Sequence, residues 1–355
     1  MNNDRIQEIL DLMEEARLDY FLISDPQSIA YCTGYYNDPH ERMFVFMVSK
    51  HGNHTLFMND LFYLEHDLGV NIVWHKDGQD PIQTIVNEMH FPGRIGIDKN
   101  WASHFLLDLM KKLPDAKYIN ASPCVDLVRM KKDLQEQVLM IESSKINDAV
   151  MEEIIPFIQE GVTEKQLAKK LDELFFNHHS TCYGAIVAFG KNAADPHHEN
   201  DDTPLRKGDC VLIDMGCVYK GYCSDMTRTF FYEGILEEEI KVYEIVKKAN
   251  EAAEAMIKPG VKLSDIDKCA RKVISDEGYG KYFTHRLGHF IGRDVHEYGD
   301  VSSVNEMEVE EGMIFSIEPG IYLEGNFGVR VEDLVMVTKD GCQVLNSFTK
   351  DIYII

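Results

Sequence analysis

VLIDMGCVYKGYCSDMTRTFF, residues 211–231, reads as two strands with a Tyr-Lys-Gly turn between them. Side chains alternate along a strand, so Leu212 and Asp214 share one face while Val211, Ile213 and Met215 take the other. In the second strand Asp225, Thr227 and Thr229 share a face. A carboxylate in so apolar a strand is costly unless a cation meets it. If the strands pair across the turn, Asp214 and Asp225 lie side by side. Two adjacent carboxylates cannot both stay ionised without a cation.

Four other segments place polar residues in apolar surroundings. FTHRLGHFIGRDVHE carries His285, His289, His296 and Glu297, and FSIEPGIYL puts Glu318 at a strand end before Pro-Gly. In GVRVEDLVMV, Arg330 and Glu332 are two apart and face one way, whereas Val329, Val331 and Asp333 face the other. GKNAADPHHEN offers His197 and His198. Two Asp, two Glu and one His beside strand ends suit a pair of divalent cations of the manganese, cobalt or zinc kind. Such a pair activates a water and clamps a tetrahedral intermediate. Histidines outside the ligand set would then orient a carbonyl or move a proton.

The chain of 355 residues is long enough for two domains. Its 36 basic and 60 acidic residues give a formal charge of −24, which argues against nucleic acid or an anionic membrane as a partner. No apolar run reaches the roughly 20 residues of a membrane span. MNNDRIQEIL lacks the basic start and apolar core of a signal peptide, and the eight cysteines show no C-x-x-C spacing. A cytoplasmic protein with reduced thiols is expected.

From the N-terminus, a helix over 5–18 leads into the strand DYFLIS. DPQSIAYCTGY reads as loop and turn, MFVFMVS and HTLFM as strands, and LFYLEHDL as helical. Alternating strands and helices continue to about residue 126 and imply a small α/β domain without a glycine-rich phosphate loop. Helix is expected from Leu127 to Phe176, broken at Gln159-Glu160-Gly161, with the basic cluster at 129–132 in a linker helix. A second long helix spans Glu237 to Ile257. EGVTEKQLAKKLDEL after the first helix resembles PGVKLSDIDKCARKVI after the second, which suggests a duplicated α–β unit over 127–355.

VLIDMG, YKGYCSDMTRTF, HRLGHFIGRDVHE, SIEPGIY and GVRVED, in this order, resemble the pita-bread metallopeptidases. The likeness runs from about residue 130 to the C-terminus and is closest to bacterial Xaa-Pro dipeptidases (prolidases). The first domain is similar to the one that prolidases, aminopeptidase P and creatinases carry. The resemblance implies two divalent metal ions per chain, most readily manganese, with cobalt or zinc as alternatives. Asp214, Asp225, His289, Glu318 and Glu332 would be the ligands, with Asp225 and Glu332 bridging and Glu318 also handling a proton. His197 and His296 would face the substrate, His285 would lie near its carboxylate, and Arg330 would sit behind the metals. Asp195, Arg286 and Phe290 depart from the residues common in relatives and are expected on the pocket wall, where they bear on substrate range.

The expected reaction is hydrolysis of the peptide bond before proline in Xaa-Pro dipeptides. The alternative is an aminopeptidase P-like enzyme for longer peptides. A creatinase-type C–N hydrolase or a non-enzymatic relative would have lost the ligand set, which is intact here. Asp38-Pro39-His40-Glu41-Arg42 concentrates charge just before an apolar strand. In prolidase-like relatives such a loop reaches a partner's site, so a homodimer is expected, with His40 and Arg42 closing the neighbour's pocket.

Overall fold

Tyr20–Ile23 (β1) is apolar at every position because both its faces are covered. Phe21 and Ile23 face one core with Ile6, Ile9 and Met13 of α1 (Asn3–Glu15). Tyr20 and Leu22 face a second core. β1 belongs to a six-stranded sheet with β2 (Val45–Ser49), β3 (Thr55–Asn59), β4 (Asn71–His75), β5 (Arg94–Ile97) and β6 (Lys117–Asn120), in the order β4-β3-β2-β1-β5-β6. β1 pairs antiparallel with β2 and parallel with β5. With α1, α2 (Pro26–Thr33) and α5 (Ser122–Met130) cover one face, and α3 (Pro81–Glu88) and α4 (Ser103–Lys112) cover the other. The computed structural model describes residues 1–90 and 92–355 and divides into two units, Met1–Arg129 and Met130–Ile355.

Two local expectations in the first unit are overturned. DPQSIAYCTGY is not a loop but holds α2, with Asp25 accepting from the Ser28 N–H as N-cap, Pro26 in the first turn and Gly34 closing the end at φ 78°. The Asp-Pro and Thr-Gly pairs that suggest turns are the caps of a short helix. LFYLEHDL, in contrast, forms no helix. The Asn59 side chain accepts from the Leu61 N–H, a local turn that competes with helix, and Leu61 and Tyr63 are exposed.

The second unit repeats a helix–helix–strand order, as the internal repeat suggests. The first half has α6 (Leu134–Ile154) and α7 (Glu164–Asn177), then β7 (Thr181–Cys182), β8 (Ile186–Phe189), β9 (Cys210–Met215), β10 (Cys217–Tyr219), β11 (Tyr222–Cys223) and β12 (Met226–Phe231). The second has α8 (Glu237–Met256) and α9 (Leu263–Asp276), then β13 (Gly288–His289), β14 (Asp300–Val301), β15 (Ile314–Ile317), β16 (Gly320–Leu323), β17 (Phe327–Arg330), β18 (Asp333–Val337) and β19 (Cys342–Val344). The helix expected from residue 127 is interrupted before α6, where Asp133 and Glu136 form a capping box. Arg129 donates to Asp25 and Ser28, and Lys132 is buried against Glu297 at 2.9 Å.

The hairpin over 211–231 is more elaborate than two strands and a turn. β9 and β12 pair antiparallel, and the chain between them leaves to form β10 and β11 in a separate sheet with β7. Lys220 and Gly221 turn at φ 48° and 82°, as a two-residue hairpin turn requires. Thr227, rather than Asp225, stands opposite Asp214. Asp225 is therefore diagonal to Asp214, two residues earlier on the Thr227 face. Gly216 sits at the branch, where a Cβ would collide with the Tyr183 hydroxyl and the Ser224 carbonyl oxygen.

A buried ion pair anchors the other side of this hairpin. Arg228 is 1 % exposed and donates to Asp333 Oδ1 at 2.7 Å and to the backbone carbonyls of Thr227, Glu332, Phe348 and Thr349. Lys350 lies 2.9 Å from Asp333 Oδ2. Burial works against the Asp333 charge, but Arg228 and Lys350 more than offset it and hold the carboxyl below its ordinary value. Its stabilisation is fully present above the ordinary aspartate range and is lost as pH falls through the lower folded value. Asp333→Asn leaves a buried guanidinium without its counter-charge and should cost about 3–5 kcal/mol. Asp202→Ala, which breaks an exposed pair with Lys165, should cost under about 1 kcal/mol. Urea midpoints of the two variants check the contrast.

Candidate metal centre

The second unit encloses a cavity of about 230 Å³. Asp214 on β9, Asp225 just before β12, His289 on β13, Glu318 after β15 and Glu332 between β17 and β18 all line it. So do His197, His285, His296 and Arg330, together with Arg286. The lining thus draws on both halves of the repeat. β12 and β17 meet behind it, where the Thr229 hydroxyl bonds the backbone of Arg330 and Glu332 N–H donates to the Thr227 carbonyl.

Four carboxylates share this space, and burial, reinforced by their mutual repulsion, dominates its electrostatics. Burial, then Asp214, pushes Asp225 well above the usual carboxylate range. Burial, then Asp225, does the same to Glu332, while burial and Asp214 raise Glu318 to about 7. Asp225 Oδ1 is buried without a hydrogen-bond partner. Ligand atoms of Asp225, His289 and Glu332 all lie within 4.8 Å of one another. An orphaned buried oxygen beside a second carboxylate and an imidazole fits a hard or borderline divalent cation, which would pull these carboxyl groups back to the ionised form.

His289 is prepared in the form a metal needs. Its Nδ1 lies 3.3 Å from the Phe290 carbonyl oxygen, so Nδ1 carries the proton and donates. Nε2 is left as an open lone pair, 3.6 Å from both Asp225 and Glu318. Burial, then His296, lowers the imidazole to about 3, so the ring is neutral. The Ser316 hydroxyl accepts from His289 N–H and donates to Glu318 Oε1, tying the two residues together. Such supports orient metal ligands.

A second network sets the back wall. Arg330 Nη2 donates to Asp214 Oδ2 at 2.6 Å, and Nε donates to Thr227 Oγ1, which in turn donates to Glu332 Oε2 at 2.6 Å. Arg330 Nη1 donates to the Tyr322 hydroxyl oxygen at 3.0 Å, and that hydroxyl donates to His285 Nε2 at 2.8 Å. His285 Nδ1 donates to the Arg286 carbonyl. Both His285 nitrogens are therefore engaged inside the protein, and burial with Arg330 nearby lowers its pKa to about 4. His296 packs edge-on against His289 at 4.2 Å between ring centroids, and burial and Arg286 lower its pKa.

Tyr183, Thr227 and Tyr322 carry parts of this site that pattern reading missed. Tyr322 sits inside SIEPGIY and Thr227 inside the Asp214 hairpin, but neither residue type announces a partner in the primary sequence. Of the three residues expected on the pocket wall, only Arg286 is there. Phe290, just past β13, is instead buried against Phe315. Asp195 caps its own loop by accepting from His197 N–H. In the first unit, His40 is exposed at φ 51°, and Arg42 is held bidentately by Asp77 at 2.9 and 3.0 Å with Glu41 at 2.8 Å. No helix among the described residues is long and apolar enough to cross a membrane, and all eight cysteines are free.

Comparison with known proteins agrees with this geometry. Residues 138–339 match metallopeptidase family M24, and residues 5–131 match the creatinase/prolidase N-terminal domain. An uncharacterized peptidase of Staphylococcus aureus is 35% identical over 355 residues, covering 98% of this chain and 99% of that one. A dipeptidase from Pyrococcus horikoshii is 35% identical with a TM-score of 0.92, covering 99% of this chain and 100% of its own. A prolidase from Thermococcus sibiricus is 32% identical, with a TM-score of 0.94 and coverage of 100% and 99%. An X-Pro aminopeptidase from Thermotoga maritima is 28% identical, with a TM-score of 0.85 and coverage of 97% and 100%. A likeness that runs the whole length of the chain, joined to a pocket that gathers carboxylates around a neutral imidazole, places this protein in metallopeptidase family M24 with a creatinase/prolidase N-terminal domain.

Proposed function

We propose that this enzyme hydrolyses Xaa-Pro dipeptides at a centre holding two divalent ions, manganese in the first instance. The observation that carries the proposal is the pocket itself: four mutually repelling carboxylates and an open imidazole nitrogen, with a partly exposed guanidinium on the same wall. Asp214, Asp225, His289, Glu318 and Glu332 would hold the ions. Ions bound there would activate a water and stabilise negative charge that develops on the substrate carbonyl oxygen. Glu318 takes a proton from the attacking water and returns it to the departing proline nitrogen. His197 and His296 orient the scissile carbonyl, and His285 acts through Tyr322 and Arg330 to fix the wall behind Asp214.

Arg286 supports a dipeptide over a longer peptide. It lines the pocket at 40 % side-chain exposure, and its neighbour Asp300 stands 3.9 Å away, a loose contact. A free C-terminal carboxylate in this small cavity would meet it as a planar fork. The S. aureus and P. horikoshii relatives are a peptidase and a dipeptidase by name, and the T. maritima structure, an X-Pro aminopeptidase, represents the rival specificity. The homodimer remains part of the proposal, with His40 and Arg42 serving the neighbour's site. Arg42 already has Asp77 and Glu41 as counter-charges, so exposed His40 is the freer of the two.

Three outcomes test this reading. Asp225→Asn should lose bound metal by elemental analysis and lose activity, while its circular dichroism stays that of the folded chain; full activity would refute the two-ion centre. Arg286→Ala should lower kcat/KM for Leu-Pro by roughly 10–100-fold, the worth of a charge-assisted hydrogen bond, and leave hydrolysis of the amidated dipeptide unchanged. Equal losses on both substrates, or faster cleavage of Leu-Pro-Pro than of Leu-Pro by the unmodified enzyme, would favour the aminopeptidase. Subunits carrying His40→Ala together with Arg42→Ala, exchanged with His289→Ala subunits, should regain activity if the loop works across the dimer. Activity fixed at the parental level despite proven exchange places the loop's role elsewhere.

A further inference from the structure

The loop that follows β8 carries His197 into the pocket, and one buried carboxylate holds it there. Glu164, the first residue of α7, is fully buried. Its Oε1 accepts from Phe189 N–H at 2.9 Å and from Asn192 Nδ2 at 2.9 Å. Its Oε2 accepts from His198 Nε2 at 2.7 Å and from Asp201 N–H at 3.0 Å. All four donors come from residues 189–201, on both sides of His197. Four donors use up the acceptor capacity of a carboxylate. Glu164, His198 and Asp201 stand close enough to suggest a cation site. With every Glu164 lone pair already committed, the cluster works as a clamp.

The loop is gripped from the opposite side as well. A Cβ at Gly328 on β17 would run into the Ala193 carbonyl oxygen, so glycine there lets the strand and the loop touch. Arg330 Nη1 reaches the Pro196 carbonyl at 3.4 Å. His197 itself is not clamped by its side chain; its backbone N–H donates to Asp195. Its imidazole position therefore depends on how firmly residues on either side are held. His296, another pocket histidine, is also next to an anchored carboxylate: Glu297 is buried against Lys132 Nζ at 2.9 Å and accepts from Arg293 N–H.

We propose that Glu164 is a positioning residue for peptide hydrolysis: through the His198 ring, the Asn192 amide and two backbone N–H groups it fixes the loop that presents His197 to the substrate. The proposal rests on His197 acting on the scissile carbonyl, as argued above. Replacing Glu164 by Gln keeps the size of the side chain but turns one acceptor into a donor. Whichever way the amide lies, it meets buried N–H groups head on, and the loop must give. A displacement of an ångström at a reacting group costs up to about 100-fold in rate.

The test combines Glu164→Gln, His197→Ala and the double variant, with kinetics on Leu-Pro, metal content, and hydrogen exchange over residues 190–203. In Glu164→Gln we expect kcat to fall roughly 10–100-fold, the usual effect of removing a supporting partner. KM and metal content should hold, and exchange should quicken in that segment alone. The double variant should be no slower than His197→Ala, because the two changes disable one group. His198→Gln, which keeps an N–H donor, should retain more turnover than His198→Ala, and this pair decides the matter if Glu164→Gln does not fold. Unchanged kcat and exchange in Glu164→Gln, or losses that multiply in the double variant, overturn the positioning role while leaving His197 in place. Full turnover in His197→Ala instead overturns the assignment of His197, and with it the positioning role.

Discussion

Confining like charge is the constraint on which the second unit depends. Asp214, Asp225, Glu318 and Glu332 converge on one cavity, where the Arg330 guanidinium bonds Asp214 directly and reaches Glu332 through Thr227. Burial and mutual repulsion drive Asp225 and Glu332 well above the carboxylate range. A chain selected for stability alone would fill this space with apolar side chains, since uncompensated buried charge is costly. The carboxylates gathered here, with His289 neutral and its Nε2 beside Asp225 and Glu318, fit a divalent cation as part of the working state.

The scaffold keeps these groups in place by spending its own polar groups on them. Thr227, opposite Asp214 in the β9–β12 pair, accepts from Arg330 and donates to Glu332. One hydroxyl thus connects a strand of the first half with the two residues that flank Val331 in the second. The far face of the same hairpin is fixed by Arg228 and Asp333, both buried. Alternation along β12 therefore sends Thr227 to the site and Arg228 to the structural ion pair, so neighbouring residues divide catalytic support from stability. Tyr322 extends the scheme outward by joining Arg330 to His285.

The residues that the structure gathers around the cavity were legible because their chemistry is written in residue type. A carboxylate inside VLIDMG or at the end of FSIE is conspicuous in an apolar strand, and its cost demands a partner. The duplicated order of helices and strands was visible from the likeness of EGVTEKQLAKKLDEL to PGVKLSDIDKCARKVI. The diagonal placement of Asp225 was not, because Gly216 and the excursion through β10 and β11 depend on a contact with Tyr183 that is distant in sequence. Thr227, Tyr322 and Glu164 were also hidden, since a threonine in a strand or a glutamate opening a helix is ordinary until its partners are seen. The helix over 26–33 was obscured for a local reason: Asp25-Pro26 and Gly34 signal a turn and a pair of helix caps equally well. LFYLEHDL failed as a helix because the Asn59 side chain bonds the Leu61 N–H and offers the chain another path.

The most direct test of a cation-dependent site is anomalous diffraction from crystals of the enzyme loaded with manganese. Two peaks about 3.5–4 Å apart should appear in the second unit, both against Asp225 and Glu332, one of them also against His289 and Glu318. No peak there, or a peak only at Glu164, His198 and Asp201, would contradict the claim that the repelling carboxylates are held together by two divalent ions.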